Sequence, residues 1–456
     1  MALTEPDDQR RGDANPAHED STRVAILLDL VLMAAGIVLL ATSSVTIFGD
    51  AATRYQALTG FLSQGTKPAM RYSFAGPLFS APLYFIGNAL GDPMTWTGRY
   101  NLVLLVLLLF ALWLLLRRRM QSRALRSFLL LLIGASMFPA HILSYYGETF
   151  TAVLVAAGTA AVAAGPSLWG WAPTMLGVVN TPAALGGLAL LTFKKMLDDK
   201  RLRYLLALPV VIGLIQLDYY SRTGHPVSAA YANDAGFPTI MPYSGRPEFS
   251  YPFGFGVLSI LFSFGKGLVF FAPGLLLPVR ARLHTLGRHL WDTYLLWLLF
   301  VAGLVLIYAR WWAWYGGLYW GPRLFLFASI PAAMAIAVAA ERPSRSLLGR
   351  ILLLAVLGLS VWVAINGFVY SQANLDVCFA NNYALEHLCW YTPEFSVLWH
   401  PFVQTKALTG HDIAFILFGA AVFVRVALPV LATIAHDVAT ALGRLRAPAS
   451  WTAWRL

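Results

Sequence analysis

VAILLDLVLMAAGIVLLATSSVTIFGDAATRY occupies residues Val24–Tyr55. Its first part, Val24 to Phe48, is an apolar run long enough to cross a bilayer as a helix. Asp50 stands just past the end of that run, and Arg54 and Tyr55 follow about one helical turn later. A carboxylate there lies at the membrane surface. Two readings are open: an N-cap for an interfacial helix, since Asp accepts hydrogen bonds from free backbone N–H groups, or a catalytic base working at the lipid boundary.

Long apolar runs recur along the rest of the chain. Of 456 residues, 58% are hydrophobic and only 12% charged, and the mean hydropathy is +0.64. Those values exclude an ordinary soluble domain and indicate an all-α polytopic membrane protein. Residues 1–22 are polar and rich in Pro, Asp and Arg, and we read them as a disordered tail. The run after them is longer than a signal-peptide core and lacks a cleavage site, so it is expected to remain as a helix.

The apolar runs give twelve spans, within a range of 11–13. They are Val24–Phe48, Arg99–Leu116 (closed by Arg117-Arg118-Arg119), Leu125–Ala140 and Thr149–Ala164. Leu168–Phe193 is broken at Asn180-Thr181-Pro182 and counts as a helical pair. Tyr204–Leu217, Gly267–Val279, His289–Tyr308, Leu324–Ala340, Leu347–Val369 and Ile413–Leu431 complete the set. With both termini cytoplasmic, inner segments hold 22 of the 33 Lys and Arg residues and outer segments hold ten, Arg425 falling inside the last span. This is the positive-inside asymmetry. It accounts for the net charge of +11 without a nucleic-acid partner, and it places Asp50 on the extracytoplasmic side of a bacterial inner membrane. The transmembrane domain then covers 23–434, with outer loops 49–98, 141–148, 218–252, 310–322 and 370–411 and a cytoplasmic tail at 435–456. Cys378 and Cys389, with ten residues between them, share the last outer loop, where an oxidising compartment can close them into a disulfide.

Polar residues gather in the outer loops. The first holds Asp50, Arg54, Tyr55, Lys67, Arg71 and Tyr72, then the Pro-interrupted run Phe74–Leu90, expected as interfacial helices. Cations here oppose the positive-inside bias; they either bind a lipid phosphate or snorkel to headgroups. The second loop reads His141-Ile142-Leu143-Ser144-Tyr145-Tyr146-Gly147-Glu148. Its aromatic pair beside a carboxylate suits a sugar, and equally an aromatic belt with Glu148 at a helix start. The third loop adds Tyr219, Tyr220, Arg222, His225, Asn233 and Asp234. Ser263-Phe264-Gly265-Lys266-Gly267 puts one lysine in apolar surroundings, where it needs a partner such as phosphate; it is not a Walker loop. The fourth loop packs six aromatics into residues 311–320, Trp314 and Tyr315 among them, and ends in Gly321-Pro322-Arg323.

With Asp50-Arg54-Tyr55, Tyr146-Gly147-Glu148, the 314–323 block and Phe262–Leu268, the chain resembles the GT-C integral-membrane glycosyltransferases. The similarity runs from about Val24 to Leu431, with a mannosyl- or arabinosyltransferase-like character. The resemblance implies transfer of a hexose or pentose from a polyprenyl-phosphate donor to a glycan, lipid or protein acceptor, with inversion. It implies Asp50 as the base, assisted by Glu148, and Arg54, Lys67, Arg71, Lys266 and Arg323 as candidates for the donor phosphate. Tyr55, Tyr72, His141, Tyr145, Tyr146, Trp314 and Tyr315 are candidates for sugar or acceptor contacts. No cofactor is specified; two outer carboxylates are compatible with a divalent cation, but no ligand spacing defines a metal site. Several relatives carry a large soluble C-terminal domain that helps recognise the acceptor; only a short tail is expected here after the last span, so acceptor recognition would fall to the outer loops, chiefly 371–410. Two other functions compete. A lipid-linked oligosaccharide ligase would use outer Arg and His, here His141 and Arg222. A flippase or transporter of a lipid-linked sugar would need repeated halves and mid-span charges along a path, and no internal repeat is visible.

Overall fold

The structure, a computed structural model, describes residues 16–165, 168–225, 239–287, 289–317, 319–371, 376–403 and 406–446. Most of the N-terminal tail, Asn233 and Asp234 of the third outer loop and the end of the C-terminal tail lie outside these residues. Among the described residues there is no strand, only the isolated bridges Thr46–Ser144 and Met120–Gly287. The fold is an all-α, polytopic membrane fold.

The chain opens with α1 (Pro16–Thr42), followed by α2 (Asp50–Gln64) and the short helices α3 (Ala75–Phe79), α4 (Ala81–Leu90) and α5 (Pro93–Gly98). Next come α6 (Tyr100–Leu116), α7 (Ser122–Gly134), α8 (Phe138–Ile142), α9 (Glu148–Ala164), α10 (Leu168–Asn180) and α11 (Leu185–Asp199). The second half runs through α12 (Ala207–Thr223), α13 (Phe253–Phe262), α14 (Leu268–Phe271), α15 (Arg280–Leu286), α16 (Leu290–Tyr308), α17 (Ser329–Glu341) and α18 (Leu347–Val369). It closes with α19 (Asp376–Tyr383), α20 (Glu386–Tyr391) and α21 (Gly410–Arg446). Seven described stretches are long and apolar enough to cross a bilayer: 23–42, 93–116, 202–223, 290–308, 323–341, 347–369 and 410–442. The apolar helices α9 and α13 are shorter.

Several expected spans take a different form. The first helix ends at Thr42 rather than Phe48, because Ser43, Ser44 and the β-branched Val45-Thr46-Ile47 favour extended backbone. The Leu168–Phe193 stretch is the anticipated pair, α10 and α11, separated by a single turn at Pro182. Residues 267–279 do not form a span. Pro273, Gly274 and Pro278 interrupt them, leaving α14 and one 3₁₀ turn (Pro273–Leu276). The Phe74–Leu90 run is α3 and α4, which leave Leu78, Phe79, Phe85, Ile86 and Leu90 exposed, as a lipid-facing surface would. At the other end α21 continues through residues 435–446, expected as tail.

The centre of the bundle is α17, buried along all of Ser329–Ala340. Its many alanines let neighbouring backbones approach closely, the packing mode that replaces the hydrophobic effect in a bilayer. Asp29 of α1, which the sequence pattern did not flag, is buried where α1 meets α7 and α21. Arg126 Nε of α7 lies 2.7 Å from its Oδ2, and Arg425 Nε of α21 lies 2.6 Å from its Oδ1. One carboxylate thus ties three helices together, and removing it leaves two guanidiniums unpaired in an apolar setting. Asp29→Ala is expected to destabilise the fold by about 3 kcal/mol. The check is a lowered melting midpoint in detergent, with a control substitution on the exposed Leu27 unchanged.

Candidate functional site

The site is assembled by backbone contacts between loops. Thr46 N donates to Leu143 O at 2.9 Å, so the extended exit from α1 lies along the second loop and brings Asp50 to Tyr146-Gly147-Glu148. Two buried asparagines fix that loop. Asn101 Nδ2 reaches the carbonyls of His141 (3.2 Å), Ser144 (2.6 Å) and Tyr146 (3.1 Å). Asn180 Nδ2 donates to Gly147 O at 2.8 Å, while its Oδ1 accepts from Gly76 N at 3.1 Å. Carbonyls and amides that no helix satisfies are paired here by side-chain amides, as buried backbone requires.

At the junction, Arg323 stands between two carboxylates. Its Nη2 donates to Asp50 Oδ2 at 2.6 Å, and its Nε lies 3.7 Å from Glu148 Oε1 while donating to Gly316 O at 2.6 Å. The Tyr319 and Tyr146 rings lie beneath the guanidinium, with centroids 4.1 and 5.4 Å from its Cζ. Tyr72 OH donates to Asp50 Oδ1 at 2.6 Å, and Asp50 N donates to Tyr319 OH at 3.4 Å. Burial works against the Asp50 charge. Arg323, the Tyr72 hydroxyl and Arg54 outweigh it and hold the carboxyl below its usual range.

Arg54 lies one helical turn after Asp50 and is only 7% exposed. Its guanidinium stacks on Tyr72, 4.9 Å from the ring centroid. A Cβ on Gly147 would fall 2.7 Å from Arg54 Nη1, so a larger residue there would push the guanidinium out of its place. Arg54 Nε and Nη1 are buried with no hydrogen-bond partner, and so is Glu148 Oε2. An ionised carboxylate next to a buried cation with open donors can take a proton from a hydroxyl and hold an anion in the same place.

Of the site residues expected from sequence, Asp50, Arg54, Tyr72, Tyr146, Glu148 and Arg323 come together. Others lie nearby with their groups engaged elsewhere. Tyr145 OH pairs with Ser80 Oγ at 2.6 Å, and Tyr55 lies beside Tyr84 and Asp92. His141 is buried against Trp320, and burial, with the charges of Arg323 and Lys266, pushes it down to about 3, so it is neutral at physiological pH. Trp314 and Tyr315 pack with Tyr243, and Tyr315 stacks on Trp390 at 5.1 Å. Lys67 and Arg71 are exposed. Lys266 donates to the carbonyls of Gly317, Tyr319 and Gly321. Arg222, a ligase candidate, is bound to Asp218 Oδ2 at 3.0 Å and to Met70 O. Cys378 and Cys389 are disulfide-bonded, Cα to Cα 6.2 Å. The Asp50–Glu148 pair does not fit a divalent cation, because the Arg323 guanidinium occupies the space between them. Among the described residues no group of three or more His, Cys, Asp or Glu side chains is placed to hold one.

Tyr319, Asn101 and Asn180 were not picked out as site residues. Tyr319 could have been, from its place four residues before Arg323; a lone asparagine within an apolar run carries no such signal.

No family model and no curated protein matches the chain. A solved structure does. The crystal structure of ArnT from Cupriavidus metallidurans bound to undecaprenyl phosphate aligns with a TM-score of 0.51 at 16% identity, covering 90% of this chain and 77% of that one. At that identity the likeness is one of fold.

Because the folded Asp50 carboxyl is depressed, its contribution to stability is complete above the unfolded value near 4 and is lost as pH falls through the lower folded value. The melting-temperature gap between wild type and Asp50→Asn is therefore expected in full at pH 7 and pH 5, and it should narrow as the pH is lowered below about 4.

Proposed function

We propose that this chain is a membrane glycosyltransferase that moves a sugar from a polyprenyl-phosphate donor to an acceptor hydroxyl on the extracytoplasmic face. The observation that carries the reading is Asp50 and Arg54 on successive turns of one helix: a held, ionised carboxylate beside a buried guanidinium with two unpartnered N–H atoms. The fold shared with a protein crystallised with undecaprenyl phosphate supports the lipid class of the donor. The excess of Lys and Arg on the opposite side supports the face, with both termini in the cytoplasm of a bacterial cell.

In this mechanism Tyr72 and Arg323 each hold one Asp50 oxygen, and each oxygen keeps a further lone pair for the acceptor O–H. Asp50 takes the hydroxyl proton as that oxygen attacks the anomeric carbon. The bond from the anomeric carbon to the phosphate oxygen breaks on the opposite face, and the sugar inverts. Polyprenyl phosphate leaves with the electron pair, its added charge met by Arg54, which is fixed before the reaction begins. Glu148 Oε2 and Tyr146 OH, both buried without a partner, are suited to sugar hydroxyls. The acceptor is a glycan, lipid or protein hydroxyl, and the transferred unit a hexose or pentose.

The two alternatives have less support. A diphosphate-linked donor would call on His141 and Arg222, yet His141 is neutral and Arg222 is engaged by Asp218. A flippase needs charges along a central path, whereas in-span Asp29 and Arg425 pair with each other and Arg126.

Purified protein in lipid nanodiscs is to be offered polyprenyl-monophosphate and polyprenyl-diphosphate sugars. Transfer from the monophosphate is expected, and Asp50→Asn should lower it by about 10³-fold while donor binding persists. Arg54→Ala should raise the donor KM by about ten- to hundredfold, the value of hydrogen bonds to a charged group. Undiminished transfer by Asp50→Asn would sink the assignment of the base.

A further inference from the structure

Lys266 is 2% exposed, and among the described residues no carboxylate forms an ion pair with it. It sits in the turn between α13 and α14, where its Nζ meets three backbone carbonyls: Gly317 at 3.2 Å, Gly321 at 2.8 Å, and Tyr319. The Trp390 ring covers the ammonium from another side, 4.8 Å from Nζ. An ammonium has three N–H donors, and three carbonyls use all of them. No donor is left for a ligand phosphate.

All three carbonyls come from the one turn that delivers Arg323 and Tyr319 to Asp50. That turn winds through positive φ at Gly316 (75°), Gly317 (80°) and Gly321 (61°), a path only glycine follows freely. The carbonyls therefore point inward to a common centre, where helix and strand offer them no partners. The lysine supplies the missing donors. Burial and the charge of Arg323 disfavour the ammonium, whereas three carbonyl dipoles and an indole face favour it.

The lysine is itself held in place. Gly265 N donates to Trp390 O at 3.0 Å, and a Cβ on Gly265 would lie 2.0 Å from Cys389 O, so this backbone passes directly against the disulfide-bonded segment 378–389. Ser396 Oγ donates to Phe264 O at 2.8 Å on the same side.

We propose that Lys266 is a positioning residue: through the backbone of the 317–321 turn it holds Arg323 and Tyr319 on Asp50, and it does not bind the donor phosphate. The proposal rests on the glycosyltransferase reading. It places the effect of Lys266 on turnover rather than on donor affinity, because displacing a fixed guanidinium by an ångström disturbs the reaction geometry more than it disturbs an anion site built on Arg54.

The test compares Lys266→Met with Arg54→Ala in nanodiscs, measuring kcat for transfer and, separately, the Kd for unglycosylated polyprenyl phosphate. Lys266→Met is expected to lower kcat by about a hundredfold with Kd within about threefold of wild type, whereas Arg54→Ala moves Kd. A Lys266→Met protein that loses lipid affinity while kcat holds, or one unchanged in both, overturns the proposal. Where Lys266→Met does not give monodisperse protein, Trp390→Leu is read the same way: a lower kcat at unchanged Kd supports the proposal, and a raised Kd overturns it. Wild-type protein that transfers no sugar while binding polyprenyl phosphate overturns the functional reading instead, so the two failures are distinguishable.

Discussion

The ion pair between Arg323 and Asp50, with Glu148 behind it, is the contact on which the rest of the site depends. It joins three segments far apart in sequence: the start of α2, the start of α9 and the first residue of the 3₁₀ helix Arg323–Ala328. A single guanidinium balances two carboxylates in a partly dry setting, where each unpaired charge would be costly. The same contact fixes one Asp50 oxygen, leaves Tyr72 to fix the other, and keeps the tyrosine rings of 146 and 319 stacked below.

That contact survives because irregular backbone around it is satisfied by side chains. Asn101 and Asn180 serve the second loop, and Lys266 serves the fourth. These side chains are buried inside the protein, where no bulk water is at hand to pair the backbone, so each loop needs an internal donor or acceptor. Away from the site, Asp29 does comparable work between α1, α7 and α21. Polar residues in the apolar part of the chain are thus mostly ties between segments, and the cluster around Asp50 stands out because some of its groups remain open.

Much of this was legible in the sequence, for physical reasons. Long apolar runs gave the helical membrane architecture, and Pro182 gave the break between α10 and α11. Asp50, Arg54, Tyr72, Glu148 and Arg323 were legible because charged and polar groups at the ends of apolar runs need a purpose. Partner choice was not legible. Lys266 looked like a phosphate ligand because a buried cation demands an acceptor, yet the acceptors are carbonyls turned inward by Gly317 and Gly321, which no pattern of side chains announces. Trp314 and Tyr315 were named as sugar or acceptor candidates from the resemblance, and in the fold they pack with Tyr243 and Trp390. The 267–279 run misled because hydropathy registered its leucines and phenylalanines but not the geometry imposed by Pro273 and Gly274.

The central claim is a single displacement driven by Asp50, and the anomeric configuration of the product tests it most directly. A polyprenyl-phosphate sugar of known configuration is turned over, and the product linkage is read from its one-bond and H1–H2 NMR couplings. The account expects inversion at the anomeric carbon. Retention would require a glycosylated protein intermediate, with a carboxylate as nucleophile rather than base, and would contradict it.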